Sequence, residues 1–167
     1  MDAQHMGDKG VIFSQWDEML DIVATALESN RIAFIRPKSG KHFGNSIKQF
    51  RSSNCPILLM NVKNGAEGLT LTEANHVFML EPMLNCGLDS QAINRIHRIG
   101  QTSKSYVHRY IVSGTVEEKV DQIRMEREEH GNDPNEQKQH AIKCGGIDGG
   151  LDVEELREMF GRTESYR

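Results

Sequence analysis

Ser90–Gln101 reads SQAINRIHRIGQ, and from Ser90 through Val116 the chain carries no acidic residue. Gln91, Arg95 and Arg98 stand at offsets 0, 4 and 7, which on a continuous helix stack on one face. An amide and two guanidiniums aimed the same way form a fixed set of donors for phosphate oxygens, which arginine binds in a bidentate fork. The spacing therefore predicts a phosphate-facing helix, with His97 between the arginines either packed or ligating. Ser90–Val116 holds four cations (Arg95, Arg98, Lys104, Arg109) and two histidines, whereas Glu117–His130 holds six acids against three cations. A local positive surface on a chain of net charge -4 suits a phosphate-binding cleft better than a coat for polyanions.

Outward from this stretch, the chain alternates apolar runs with helical periodicity. Upstream lies a strand, His76–Leu80, ending before Glu81-Pro82, and before it NGAEGLTLTEA reads as a glycine turn and short helix. Pro56–Met60 is another apolar strand, preceded by a short helix marked by Ile47 and Phe50. Ile32–Ile35 is a further strand, stopped by Pro37. The segment WDEMLDIVATALES has Trp16, Met19, Leu20, Val23 and Leu27 at helical spacing, an expected core stripe closed by Asn30. Val11-Ile12-Phe13 opens the series and ends at Ser14-Gln15. Downstream, Tyr106–Val112 is a fifth strand, and Thr115 caps a charged helix running to about Gly131.

Strands alternating with helices on near-continuous apolar runs predict an α/β fold, a parallel sheet sandwiched by helices. Ligand sites in such sheets lie at the carboxyl ends of the strands, here Ser14-Gln15, Lys63-Asn64-Gly65 and Glu81-Pro82. The expected organisation is a disordered N-terminus (1–8), one domain (9–130), a Gly-, Asn- and Gln-rich flexible linker (131–150) and a short C-terminal amphipathic helix and tail (151–167) built on LDVEELREMF.

Several classes are disfavoured. No run approaches the ~18 apolar residues of a membrane helix, and MDAQHMGDKG lacks a signal-peptide core. Cys55, Cys86 and Cys144 are odd in number and show no CxxC pairing, so neither a disulfide framework nor a zinc site is expected, and a reducing compartment is. No metal site is expected from the scattered histidines. There is no GxxxxGK[ST] loop, since Gly40-Lys41 is followed by His42. Asp17-Glu18 falls in the first turn of a helix, where the dipole favours acids, and is not read as a magnesium motif. The chain thus holds phosphate-facing arginines without the loop that cradles a triphosphate, half of an active site.

QAINRIHRIGQ, preceded by GLTLTEANHVFMLEP, resembles the second RecA-like lobe of the Swi/Snf-type DNA-dependent ATPases, within the superfamily-two helicases. VIFSQW is similar to that family's fourth helicase motif, VKNGAEGLTLTEA to its fifth and QAINRIHRIGQ to its sixth; the likeness runs from about Lys9 to Phe160. FIRPKSGKHFGNS stands where the family usually has an Arg-x-Asp-Gly turn, and Glu81-Pro82-Met83-Leu84-Asn85 where it has Asp-x-x-Trp-Asn-Pro. Both departures, with the LDVEELREMF ending, look like the histone-linker, PHD and RING-containing helicase subgroup, which pairs the motor with ubiquitin-ligase activity. Three scattered cysteines cannot build a RING.

The resemblance implies ATP and magnesium held mostly by a first RecA-like lobe that partners this one in cis. It implies Arg98 as arginine finger, Arg95 closing on the phosphates, Gln91 orienting them, Gly68 approaching the nucleotide, and Glu67 or Thr70 near the ribose. Ser14, Gln15, Lys63, Asn64 and Gly65 would hold the backbone of duplex or nucleosomal DNA without reading bases. A ubiquitin-conjugating enzyme would engage through a RING outside this chain, no membrane is involved, and the location is nuclear. The chain alone, lacking Walker motifs, should be inactive. The competing expectation is an inert DNA- or protein-binding module. A lobe of an RNA-dependent helicase is disfavoured, because those carry a shorter QxxGRxGR form.

Overall fold

The computed structural model describes residues 8–38, 40–65, 69–83, 86–98 and 100–130. These divide into two compact units, residues 8–80 with 88–110, and residues 81–87 with 111–130. The expected linker and C-terminal helix lie outside the described residues.

The first unit is built on five strands, β1 (Gly10–Ser14), β2 (Phe34–Ile35), β3 (Ile57–Asn61), β4 (His76–Met79) and β5 (Tyr106–Arg109). Their order is β2-β3-β1-β4-β5, and every neighbouring pair is parallel. Helix α1 (Asp17–Ser29) links β1 to β2, α2 (Phe43–Ser52) links β2 to β3, the short α3 (Val62–Gly65) follows β3, and α4 (Cys86–Asn94) lies between β4 and β5. This is the parallel α/β sheet expected from the alternating pattern.

β1 is buried throughout because β3 and β4 flank it and both its faces are covered. Ile12 joins Leu20 of α1 and Leu59 of β3 in one cluster, with Val23, Ala24, Leu27 and Phe78 packed against it. By strand alternation Val11 and Phe13 point to the other side, where they too are fully buried. Gly10 is needed by close approach: a Cβ there would stand 2.7 Å from the Phe78 ring. At the opening of the strand, Lys9 donates through Nζ to the carbonyls of Phe50 and Ser53, both at 2.6 Å, and so closes the end of α2. Asp8, expected among the disordered residues, accepts a hydrogen bond from Asn75 Nδ2 at 2.7 Å.

Some expectations need correction. The core-facing stripe of α1 is Leu20, which is buried, with Val23, Ala24 and Leu27, which are partly buried, at i, i+3, i+4 and i+7, whereas Trp16 is 59% and Met19 37% exposed. The helix starts at Asp17, so Trp16 is its N-cap in extended backbone and stands off the sheet-facing side. Ile32 is exposed and outside β2, because the chain after α1 is still turning: Arg31 has φ 55 and the Ile32 N–H donates to the Leu27 carbonyl at 2.9 Å. Of the stretch NGAEGLTLTEA, Asn64 and Gly65 close the short helix Val62–Gly65, and the described residues 69–75 form an irregular segment in place of a helix. β5 stops at Arg109 and is an edge strand with Tyr106 and Val107 part-exposed.

In the second unit, α5 (Val116–His130) starts as expected at Thr115, whose Oγ1 accepts the Glu117 N–H at 3.2 Å and donates to the Val112 carbonyl at 2.7 Å.

Candidate phosphate-binding site

The helix carrying Gln91 ends three residues later. The Arg95 N–H donates to the Ala92 carbonyl, and the Ile96 and His97 N–H groups both donate to Ile93, tightening the chain into turns. Gly100, at φ +107, then reverses it in a conformation that L side chains rarely adopt. Arg95 and Arg98 are therefore displayed by a turn beyond α4, and the expected single helix face is corrected. The residues nevertheless converge: Gln91, Asn94, Arg95, His97 and Arg98 line one open hollow of about 460 Å³. Its lining offers two guanidiniums and two amides with no carboxylate, a donor-rich wall suited to an anion. His97 is exposed at its rim, not packed.

The opposite wall of the turn is the segment 69–75. The Leu71 N–H donates to the Arg95 carbonyl at 2.8 Å, and Arg95 Nη1 reaches back to the Leu69 carbonyl at 3.5 Å. Arg98 Nη1 donates to Thr70 Oγ1 at 2.9 Å, which engages one of five guanidinium N–H groups. Arg51 of α2 donates to the Thr70 carbonyl and pairs with Glu73 at 3.5 Å, holding this segment from its far side. Leu71 and Ala74 anchor it in the core, both fully buried. Thr70, expected near a ribose, is thus a direct partner of Arg98; Glu67 and Gly68 lie outside the described residues.

A second group gathers at the carboxyl ends of β1 and β3, which the register Ser14↔Asn61 sets side by side. Ser14 is fully buried; its hydroxyl accepts the Trp16 N–H at 3.0 Å and donates to the Trp16 carbonyl at 3.2 Å. It shapes the turn into α1, although the helix cap itself is Trp16. Asn61, which sequence reasoning passed over, organises the rest. Its Nδ2 donates to the Gln15 carbonyl at 3.2 Å and to Asp17 at 3.3 Å, and its Oδ1 accepts the Lys63 N–H at 3.0 Å. The available signal was an amide closing an apolar run, ILLMN. Lys63 is exposed and Asn64 half-buried, so α3 presents a cation and an amide beside Gln15.

A further missed pair fixes α4. Asp89 is buried and accepts a 2.6 Å hydrogen bond from Arg109 Nη2 of β5. The two are 20 residues apart, so no local spacing reveals them. Among the described residues no cluster of three His, Cys, Asp or Glu could hold a metal ion, and Cys55 is a free thiol.

The family model described as the helicase conserved C-terminal domain matches residues 2–100. The chain belongs to that family. This helicase C-terminal domain is 34% identical, over 92% of its length, to the human E3 ubiquitin-protein ligase SHPRH. It is 36% identical over 73% of its length to DNA repair protein RAD5A of Arabidopsis thaliana, and 41% identical over 68% to DNA repair protein rad8 of Schizosaccharomyces pombe. It spans only 9%, 12% and 10% of those three proteins. Among solved structures it resembles the C-terminal part of the Fun30 ATPase domain, with TM-score 0.66 and 31% identity, covering 70% of this chain and 38% of that one. The RecA-like architecture and the Swi/Snf-type likeness inferred from QAINRIHRIGQ are thereby borne out.

Proposed function

We propose that this lobe is the second motor lobe of a DNA-dependent ATPase that translocates along duplex DNA in chromatin remodelling or DNA repair. The observation carrying the reading is the hollow in which Gln91, Arg95 and Arg98 converge, with Thr70 steadying Arg98 from across the turn. ATP would sit between this lobe and a first lobe that supplies the phosphate-cradling loop and the magnesium ligands. Arg98 then offers its remaining donors to the γ-phosphate as negative charge shifts in the transition state. Arg95, pinned through its own carbonyl to Leu71, contacts the phosphates as the lobes close, and Gln91 orients them. Glu67 and Gly68 take the sugar and close-approach roles carried over from the family.

The strand-end group supports the second half of the reading. Lys63, Gln15 and Asn64, with main-chain groups toward Gly65, present donors that meet phosphate without reading bases. Ser14 contributes by shaping the turn on which Gln15 sits. The names of the relatives, a ubiquitin ligase and DNA repair proteins, support a nuclear role and a motor coupled to ubiquitin transfer through a RING and its conjugating enzyme outside this lobe.

The deciding measurement is ATP hydrolysis by the full-length protein with and without duplex DNA, beside its Arg98→Ala variant. A DNA-stimulated rate that falls about 10³-fold or more in the variant is expected. Equal rates in both proteins would leave an inert binding module on a motor fold.

A further inference from the structure

Three residues beyond Arg98, the side chain of Gln101 spans the two segments that build the hollow. Its Nε2 donates to the carbonyls of Ala74 at 2.8 Å and Thr72 at 3.2 Å, 27 and 29 residues away. Its Oε1 accepts the Ser103 N–H at 2.9 Å, and its own main-chain N–H donates to the Arg98 carbonyl at 2.9 Å. Both amide protons and the amide oxygen are thus bonded to backbone. A carboxamide is the one side-chain group that supplies two donors and an acceptor in a single plane. Glutamate would set an oxygen against two carbonyl oxygens, and lysine would leave the Ser103 N–H without its acceptor.

What these bonds join is specific. The 69–75 segment carries Thr70, which receives Arg98, and Leu71, whose N–H holds the Arg95 carbonyl. Gln101 fastens the downstream side of the same turn to the same segment. Arg98 therefore lies between two tethers, Leu71–Arg95 before it and Gln101–Thr72/Ala74 after it. The backbone bonds back to α4 end at His97, whose N–H donates to the Ile93 carbonyl; the Arg98 N–H donates instead to the Ile96 carbonyl within the turn, beyond the helix end at Asn94. We infer that Gln101 is a positioning residue, acting through Arg98, whose carboxamide fixes where the guanidinium stands relative to the transferring phosphate. This rests on the reading of Arg98 as the finger.

The test is a double-mutant cycle in the full-length protein, reading kcat and KM for DNA-stimulated ATP hydrolysis in Arg98→Ala, Gln101→Ala, Gln101→Glu and Arg98→Ala/Gln101→Ala. Misplacing a catalytic group by about 1 Å costs on the order of 10²-fold, and that fall is expected in kcat of both Gln101 variants with KM for ATP little changed. The double variant is expected to be no slower than Arg98→Ala alone, because Gln101 has nothing left to position. Losses that multiply in the double variant, or Gln101 variants running at the parental rate while Arg98→Ala is dead, overturn the positioning role and leave the finger intact. A parental rate in Arg98→Ala overturns both. Thermal melting and amide exchange at residues 71–75 are followed in parallel. If both Gln101 variants are unfolded at the assay temperature, the residue is structural and the inference fails.

Discussion

Replacing Arg109 by methionine would strand the Asp89 carboxylate in the interior. Asp89 is 2% exposed and accepts one short bond, 2.6 Å, from the Arg109 guanidinium. Methionine keeps most of the stem's packing and removes only the charge and the donor, so the loss reports the electrostatics. Breaking a buried pair from one side costs about 3–5 kcal/mol, since the remaining charge keeps its desolvation penalty. Arg109 is 31% exposed, so water reaches its end of the pair and the lower figure, about 3 kcal/mol, applies. The assay is urea unfolding of the chain followed by circular dichroism, with the midpoint read at constant slope. A fall in Tm on the order of 10 °C should accompany it. The control is Asp89→Asn, which retains the shape without the charge; on that background Arg109→Met should cost only about 1 kcal/mol. A loss below about 1 kcal/mol in the parent, or the same loss on both backgrounds, would refute the argument that an uncompensated buried charge is the cause.

On α1, Leu20→Ala should destabilise by about 2–5 kcal/mol while Trp16→Ser stays within about 0.5 kcal/mol, a contrast that denaturant melts would read directly. Gly10→Ala forces a methyl onto the Phe78 ring and should cost about 1–3 kcal/mol, recovered in part by a second change, Phe78→Leu; an unchanged midpoint would mean the ring yields freely. Lys63→Ala should weaken binding of duplex DNA uniformly across sequences and lower the slope of log K against log salt by about 1, as fluorescence anisotropy at several salt concentrations would show. An unaltered slope would remove α3 from the DNA track.

β1 and β3 were legible as strands because in a parallel sheet covered on both faces nearly every position is apolar, and VIF and ILLM carry that signature without neighbours. α2 was legible for a related reason, Ile47 and Phe50 being three apart and both buried. Gln91, Arg95 and Arg98 were expected on one helix face; they line one hollow, with both arginines displayed by the turn beyond α4. Helical spacing inside SQAINRIHR continues past Asn94, and the chain leaves the helix there as Arg95 binds Leu71 and Leu69 in a segment more than 20 residues upstream. Periodicity cannot report a bond of that range.

The same limit explains Trp16 and Met19. Trp16 precedes α1, whose start at Asp17 is set where β1 ends and Ser14 ties off the turn, and docking of the helix on Ile12 and Leu59 selects Leu20, Val23, Ala24 and Leu27 and leaves Met19 beside that face. Element types and the parallel class of the sheet are written in local composition and spacing, because burial of a repeating face depends on periodicity alone. Where the Gln91 helix stops, which partner holds Arg98, and the roles of Asn61, Asp89 and Gln101 depend on hydrogen bonds and one ion pair between residues far apart in the chain. Those bonds exist only once the sheet has brought their segments together.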